Sequence, residues 1–304
     1  MKHSDFTNSV FQEDWWLDAV SPNSWKKIVI GDARNPDLVF PYVCTRKYRF
    51  NRIHMPKLTQ TIGPWLKNTD AKYCKKLSRE KDLFFALLEK IPDFDDFCVA
   101  FHYSFTNWLP FYWKGFRQTT RYTYVLDELT DLEKVWNGFQ ENIKTDIKKA
   151  QKIVSVNTEM DMDSFINIQK KTFQRQNVAF PFSKDFLVRV DQACSARSCR
   201  KFFYAIDEKY RVHAAIYVMW DDRSAYYLMG GGDPELRNSG ATSLLLWEAI
   251  KFCSTVTKEF NFEGSMIESI ERFFRAFGAH QKPYFLIQKE KPFFNLIKKV
   301  KGLI

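Results

Sequence analysis

The sequence has no long uninterrupted apolar run. Its opening segment, MKHSDFTNSVFQEDWW, lacks the apolar stretch of a secretory signal. No later run approaches the roughly 18 residues that a membrane-spanning helix requires. We therefore expect a cytoplasmic protein without a helical membrane span.

The residue patterns of metal sites are also missing. The six cysteines contain no C-x-x-C pair, and none has a histidine at zinc-finger spacing. The acidic segment 159–163 lacks the glycine and the terminal glutamate of a calcium loop. We therefore expect buried, reduced thiols and no bound metal.

Signatures of covalent catalysis are absent as well. The sequence has no G-x-S-x-G nucleophile elbow and no recognisable protease arrangement of cysteine with histidine and asparagine. For an enzyme with this sequence, direct group transfer fits better than a covalent enzyme intermediate.

Aromatic residues and positive charge are abundant instead. The chain of 304 residues has 29 Phe, 13 Tyr and 9 Trp, and 45% of its residues are hydrophobic, so a sizeable core can form. The formal net charge of +10 favours phosphate-rich partners such as nucleotides, coenzyme A, RNA or an anionic membrane. Charge does not choose among these partners, and many basic proteins bind none of them.

Short β-branched and aromatic runs predict that the first part of the chain is rich in strands. The predicted strands cover residues 25–32, 37–47, 97–105 and 121–128. Between them, residues 71–91 predict an amphipathic helix that ends before Pro92.

The clearest helical pattern covers residues 131–154. One face of this helix would carry Ile143, Ile147, Ala150 and Val154. A second stripe consists of Lys144, Lys148 and Lys152. Such a stripe is either a solvated face or, where it lines a cleft, a surface that receives phosphate.

Helices and strands alternate from about Asp163 onward, in the order ααβββαβαβ. This order predicts an α/β fold with a mixed sheet covered by helices. A ligand cleft is expected where adjacent strands of such a sheet diverge.

A short segment before the predicted helix 241–253 is suited to phosphate binding. Its residues are Arg237, Asn238, Ser239, Gly240, Ala241 and Thr242. Free N–H groups at a helix N-terminus bind phosphate oxygens, glycine permits close approach of the backbone, and arginine adds a charged contact. An ordinary loop with a glycine near a helix start is the alternative for so short a pattern.

Three parts of the sequence together resemble the FemAB-related branch of the GNAT acyltransferase superfamily. They are PELRNSGATSLLLWEAIKFC, FNFEGSMIESIERFFRAFGAHQKPYF, and FQEDWWLDAV followed by MPKLTQTIGPWL. The resemblance covers most of the chain. It implies an α/β fold of two GNAT-like halves packed together, with residues 1–154 as the acceptor side and residues 155–304 as the acyl-donor side.

The resemblance gives a role to the segment from Arg237 to Thr242. The segment is similar to the GNAT acyl-donor loop, usually Gln/Arg-x-x-Gly-x-Gly/Ala, so Arg237, Ser239, Gly240, Ala241 and Thr242 are expected to bind the donor. Thr242 departs from the small residue expected there, although its hydroxyl could also bond to phosphate. The implied co-substrate is acyl-CoA, with acetyl-CoA as the first candidate.

Glu263 is the candidate catalytic base. It follows a predicted strand that, in a GNAT sheet, would border the acyl group, and a carboxylate can take the proton of an attacking amine. Backbone N–H groups freed where the strands diverge could stabilise the oxyanion. The alternative is a structural Glu263 that caps the next helix or pairs with Arg272 or Arg275.

The two histidines of the second half of the chain, His213 and His280, are interpreted as structural. His213 lies within an apolar strand and is expected to be a satisfied core histidine. His280 follows FFRAFGA and marks a turn.

Trp15, Trp16 and Gln60 are the candidate acceptor-binding residues. They lie in segments that resemble the family's acceptor side, and aromatic faces with amide groups suit sugar rings. Most aromatic residues of the chain must nevertheless be core.

The C-terminal tail from Lys291 to Ile304 has an amphipathic pattern. Phe293, Ile297, Val300 and Ile304 share one helical face, while Lys298, Lys299 and Lys301 lie elsewhere. The tail either docks on the domain or lies on an anionic membrane, which would make the protein peripheral to the inner membrane face.

We therefore expect a cytoplasmic N-acyltransferase. It would move an acyl group from coenzyme A to an amino group of a nucleotide- or lipid-linked amino sugar in surface-polysaccharide biosynthesis. One alternative is a Fem-type aminoacyltransferase that uses aminoacyl-tRNA and a peptidoglycan precursor. Another is a non-catalytic RNA- or membrane-binding protein on a degenerate GNAT scaffold.

Overall fold

The computed structural model describes residues 6–294. The chain divides into two compact units, one formed by residues 122–282 and the other by the residues before 122 together with those after 282. The first is called the central unit and the second the outer unit. The sequence-based boundary between residues 154 and 155 falls inside the central unit.

The outer unit contains most of the first strands and helices. Its elements are α1 (Asp14–Val20), β1 (Trp25–Asp32), β2 (Asn35–Lys47), β3 (Phe50–His54), β4 (Trp65–Leu66), α2 (Tyr73–Lys90), β5 (Asp96–Ala100), α3 (Leu109–Trp113), the start of β6 (Arg117–Leu126) and most of β12 (His280–Glu290). Its strands pair in the order β1-β2-β3-β5-β12, and only β3 and β5 among these neighbours are parallel.

The central unit contains the remaining elements. They are the end of β6, α4 (Leu132–Gly138), α5 (Glu141–Ala150), β7 (Ser155–Asn157), α6 (Met162–Arg175), α7 (Lys184–Ser195), β8 (Arg200–Ile206), β9 (Val212–Trp220), β10 (Ser224–Gly232), α8 (Ala241–Cys253), β11 (Glu259–Asn261), α9 (Glu268–Arg275) and the start of β12. Its strands pair in the order β6-β11-β10-β9-β8-β7, and β10 and β11 are parallel. The predicted order ααβββαβαβ is confirmed from α6 to β12.

Helix α8 shows why the central unit holds together. Its sequence ATSLLLWEAIKFC is almost wholly apolar, and eight of its residues are buried. The helix packs against β8 and β9 of the sheet and against α5. Ile143, Ile147 and Ala150 supply the buried face of α5, as their helical spacing predicted. Residues before 155 therefore pack with the central unit.

The predicted continuous helix over 131–154 is wrong. It is two helices, α4 and α5, separated by Phe139 and Gln140, both with extended backbone. The ring of Phe139 is buried and lies 5.3 Å from that of Trp247 and 5.0 Å from that of Phe277. Burial of this aromatic ring favours the break between the two helices. Gly138 favours it as well, because glycine is a poor helix former.

Two predicted strands end earlier than expected. The strand expected over 97–105 ends at Ala100, because the chain turns and the N–H of Phe105 donates to the carbonyl of His102. The strand expected to reach Glu263 ends at Asn261, because Glu263 and Gly264 both have left-handed backbone.

Candidate active site

The central unit contains a cavity of about 520 Å³ where two parallel strands separate. Strands β10 and β11 pair only as far as Tyr226 and Asn261, whereas β10 continues to Gly232 alongside β9. The predicted divergence of adjacent strands is present. The cavity is lined by residues from α6, β10, the turn before α8, the turn after β11 and α9.

Strand β10 is irregular along the cavity wall. Its register with β9 shifts between Tyr227 and Met229, so Leu228 has no register partner in β9. The three glycines that follow, Gly230 to Gly232, also line the cavity. A bulge of this kind re-aims backbone groups and side chains beside a site.

Tyr227 lies in the space that Gly230 leaves open. A Cβ atom added at Gly230 would lie 1.7 Å from the Tyr227 hydroxyl oxygen, so only glycine fits there. The Tyr227 ring is 5.9 Å from that of Phe274, and burial raises the pKa of its hydroxyl well above the ordinary value. The Tyr227 hydroxyl therefore keeps its proton at neutral pH.

The turn predicted to bind phosphate joins β10 to α8. Arg237–Ser239 form a single 3₁₀ turn, Gly240 is left-handed with φ of 77°, and α8 begins at Ala241. The residues of this turn that line the cavity are Arg237, Ser239, Ala241 and Thr242.

Gly240 serves packing in this structure. A Cβ atom at Gly240 would lie 2.4 Å from the carbonyl oxygen of Asp146 in α5, so the glycine permits the turn and that helix to meet. Lys149 of the same helix donates to the carbonyl oxygen of Asn238 at 2.5 Å. The predicted role of Gly240 in donor binding stays a prediction.

Two arginines lie at the cavity without ion-pair partners. Arg175, at the end of α6, and Arg237 both line it and both are exposed. Among the described residues, neither guanidinium has a carboxylate partner. Their charges are available to an anion.

Glu263 has strained backbone and a half-buried side chain. Its φ is 65°, a rare conformation for a residue with a side chain, and its N–H donates to Asn261 Oδ1 at 2.8 Å. Thr123 donates to the same Asn261 oxygen at 2.6 Å and fixes the turn.

The Glu263 carboxyl lacks the partners that its structural interpretation required. Its Oε1 is buried and has no hydrogen-bond partner among residues 6–294. Arg275 pairs with Glu271 instead, and Ser265 accepts the N–H of Ile267, the residue that caps α9. Burial raises the pKa of Glu263 well above its ordinary value.

His213 is buried, as expected for a core histidine, and it also borders the cavity. Its Nε2 is 3.2 Å from Asp207 Oδ2, and its side chain is 4% exposed. Its Nδ1 has no hydrogen-bond partner in the part of the chain that the structure describes. His280 lies elsewhere, with Nδ1 2.5 Å from Asp127 Oδ2.

Several cavity residues were missed by sequence reasoning. The hydroxyl of Thr172 in α6 accepts the N–H of Gly232 at 2.9 Å and donates to its carbonyl at 3.2 Å, which ties α6 to the end of β10. Arg175 lies one helical turn further on. The run of three glycines ending β10 was the available signal, because glycine within a strand marks close approach.

Among the candidate acceptor residues of the outer unit, Trp16 and Gln60 lie in the packed core and Trp15 is half-buried. Trp16 is fully buried, its indole N–H donates to Thr59 at 3.0 Å, and its ring meets Trp15 edge-on at 5.9 Å. Gln60 is also buried. A cavity of about 220 Å³ in this unit is lined by other residues. The structure therefore gives Trp16 a packing role.

Three other predictions concern charge, metal and membrane. Lys148 and Lys152 are exposed, whereas Lys144 binds Glu141 at 3.0 Å.

No group of His, Cys, Asp and Glu in residues 6–294 could hold a metal, and no helix there is both long and apolar enough to cross a membrane. Within the tail, Phe293 contacts Phe50, and Ile297, Lys298, Lys299, Val300, Lys301 and Ile304 lie outside the described residues.

Part of the chain that contains the cavity matches a known protein family. Residues 137–262 match the family model described as an acetyltransferase (GNAT) domain, which covers the turn before α8 and ends beside Glu263. No curated protein sequence matches the chain.

Several solved structures have the same fold. A structure of FemX is 11% identical, with a TM-score of 0.69 and coverage of 97% of this chain and 96% of that one. The C-terminal domain of a lysylphosphatidylglycerol synthetase from Agrobacterium fabrum is 10% identical, with a TM-score of 0.57 and coverage of 95% and 90%. A tandem GNAT protein of the clavulanic acid pathway is 9% identical, with a TM-score of 0.53 and coverage of 88% and 83%.

These findings define the class of protein. The chain carries a GNAT acetyltransferase domain within a FemAB-related double-GNAT fold, so the predicted α/β fold class is confirmed. The GNAT acetyltransferase domain at residues 137–262 supports acyltransferase activity.

Proposed function

We propose that this acyltransferase moves a short acyl group from acyl-CoA to an amino group, with Glu263 as the base. The observation that carries the proposal is the Glu263 carboxyl oxygen, buried without a partner in a residue that lines the GNAT-domain cavity. A buried carboxyl with a raised pKa is typical of a group used in proton transfer.

The phosphate end of the donor is assigned to the turn before α8. The N-terminus of this helix of 13 residues provides backbone N–H groups and the positive end of its dipole, and Arg237 and Arg175 provide free charge. We assign the donor contacts to Arg237, Ser239, Ala241 and Thr242, while Gly240 positions their backbone against α5.

Aromatic side chains support a short acyl group such as acetyl. The ring of Phe274 lies 5.3 Å from that of Phe262 and 5.9 Å from that of Tyr227, and all three residues line the cavity. Bulky rings near the reacting end leave little room for a long chain. Acetyl-CoA is accordingly our first candidate donor.

The chemistry follows from these groups. The amine nitrogen attacks the thioester carbonyl carbon, the C–N bond forms, and Glu263, ionised before the transfer, takes the proton that the nitrogen loses. The C–S bond then breaks, and the leaving thiolate takes up the proton held by Glu263, which regenerates the carboxylate. Backbone N–H groups near the irregularity at Leu228 would stabilise the oxyanion.

The acceptor is proposed to be a nucleotide- or lipid-linked amino sugar bound with help from the outer unit. Support for an amine comes from Glu263, and support for a sugar comes from the resemblance around Trp15, Trp16 and Gln60. Trp16→Ala is a poor probe, because a core cavity costs about 3 to 5 kcal/mol. Gln60→Ala should raise the KM for acceptor and leave donor affinity unchanged, provided that chemistry is slower than acceptor release.

The identity of the donor is tested by direct binding and by acyl transfer. Calorimetric titration with acetyl-CoA should give saturable binding, and Arg237→Ala should weaken it about tenfold or more, as expected for loss of one charged hydrogen bond. The matched control is Arg34→Ala, which removes an exposed arginine of the outer unit. In a transfer assay with radiolabelled acetyl-CoA, the labelled acetyl group should then appear on amino sugars.

The competing donor is an aminoacyl-tRNA, which the net charge of +10 would also suit. Saturable binding of aminoacyl-tRNA, weakened by Arg237→Ala and without any acetyl-CoA binding, would replace acyl-CoA as donor. Unchanged acetyl-CoA affinity in a folded Arg237→Ala variant would remove the assignment of the turn.

A further inference from the structure

Helix α3 of the outer unit exposes three large apolar side chains. Phe111 anchors the helix, since its ring is buried against those of Phe84 and Phe101. Leu109, Tyr112 and Trp113 are instead 49%, 58% and 55% exposed. Single exposed apolar residues are ordinary, but a group of them within one helical turn marks an interaction surface.

An apolar cavity adjoins the exposed residues. It has a volume of about 220 Å³ and is lined by Phe85, Leu88, Glu89, Phe94, Lys114, Phe116 and Lys289. The ring of Phe85 lies 6.4 Å from that of Trp113. The cavity and the exposed face of α3 thus form one patch, which we call the α3 surface.

The α3 surface is positively charged. Lys114 Nζ lies 4.8 Å from the ring centre of Phe85, and Lys289 Nζ lies 5.0 Å from that of Phe116. Lys114 and Lys289 are the basic residues among those that line the cavity. Glu89 is the acidic residue among those lining the cavity.

This combination fits one kind of partner. Tryptophan and tyrosine favour the boundary between lipid headgroups and acyl chains, leucine inserts below it, and lysine and arginine attract anionic headgroups. We propose that the α3 surface binds the face of an anionic phospholipid membrane. The inference does not depend on the proposed acyl transfer.

The proposal is tested by sedimentation with vesicles. The full-length protein should bind vesicles of equal parts phosphatidylcholine and phosphatidylglycerol, bind much less to phosphatidylcholine alone, and be released by salt. The double variant Tyr112→Ala/Trp113→Ala should bind about tenfold more weakly, since each exposed ring loses apolar burial in the interface. Lys114→Glu should weaken binding to the anionic vesicles.

The control separates this surface from other aromatic or basic regions. Tyr210→Ala removes a tyrosine of the central unit that is 86% exposed, and it should bind as the wild type does. Each variant should keep the melting temperature of the wild type, because the replaced side chains are exposed. Wild-type vesicle binding by the folded double variant would overturn the proposal and leave the basic C-terminal tail as the contact. Self-association that the double variant abolishes, without vesicle binding, would also overturn it.

Discussion

Asp96 of the outer unit and Glu263 of the central unit both have buried carboxyl oxygens, and the two groups are treated differently. Asp96 of the outer unit accepts from both Nε and Nη2 of Arg52, each at 2.8 Å, and the two residues face each other in neighbouring strands β3 and β5. In the central unit, Oε1 of Glu263 has no partner among the described residues. Asp96 is committed to holding strands together.

The difference shows where the fold keeps unused binding capacity. A buried carboxyl oxygen without a hydrogen-bond partner costs stability. In a protein that did not use this group, we would expect the residue to be paired or to be replaced by an apolar one. In the central unit it coincides with left-handed backbone at residue 263, a cavity and two free arginines. Strain and unpaired charge concentrated at one cavity are typical of a site kept ready for a ligand.

The largest expected effect concerns Glu263. Glu263→Gln keeps the shape of the side chain but removes the base, so kcat should fall about a hundredfold or more while donor affinity stays within about twofold. The measurement is steady-state kinetics together with calorimetric donor titration. Glu268→Gln, an exposed residue of α9 outside the cavity, is the control and should retain activity. Wild-type turnover by Glu263→Gln would leave this carboxyl with a structural role alone.

The second prediction concerns the ion pair between Asp96 and Arg52. Arg52→Met removes the ion pair of buried Asp96, which should lower the free energy of unfolding by about 2 to 3 kcal/mol, less than for a fully buried pair because Arg52 is partly exposed. Denaturant unfolding measures the loss. Adding Asp96→Asn should recover part of it. If Arg52→Met unfolds like the wild type, the pair contributes little and the contrast with Glu263 fails.

The third prediction separates the two roles of the turn before α8. Gly240→Ala should cost on the order of 1 to 3 kcal/mol, because the residue is left-handed and its Cβ would meet Asp146 at 2.4 Å. Gly138→Ala, where nothing lies within 4 Å of the added Cβ, should be close to neutral. Thermal unfolding compares the two. Equal melting temperatures would show that Gly240 is not needed for packing.

The smallest expected effect is a pH dependence of stability. Because the pKa of Glu263 is raised in the folded protein, wild-type folding favours the protonated form. The stability that this proton provides is fully present below the ordinary carboxyl pKa, about 4.3, and is lost as pH rises through the raised value. Glu263→Gln does not titrate, so its melting temperature should exceed that of the wild type increasingly from acid to neutral pH. A constant difference between them would contradict the burial of this carboxyl.

Local sequence patterns predicted the central unit well. Apolar periodicity located α6, α7 and α8, and the turn from Arg237 to Thr242 lies between strand and helix as expected. These features depend on residues that are close to one another in the sequence. The break at Phe139 was missed because it depends on Trp247 and Phe277, which are distant in sequence.

The site residues show the same limit. Glu263 was selected because it follows a strand, and its cavity position agrees, while its role stays a prediction. Tyr227 and Thr172 were missed because their places depend on Gly230 and Gly232, contacts that no local pattern specifies. Trp16 was selected because aromatic rings suit sugars, yet a large ring gains more free energy in the core.

The division of the chain has a consequence for how the protein is made. Strand β5 of the outer unit lies between β3 and β12, and Ala100 pairs with Leu286. The ribosome must therefore synthesise the whole central unit before β12 exists, a delay on the order of ten seconds or more at typical elongation rates. During that interval one edge of β5 has no β12 to pair with, whereas residues 122–282 are contiguous and can fold as soon as they emerge. Cotranslational folding should thus complete the unit that carries the cavity first and the unit that contains β5 last.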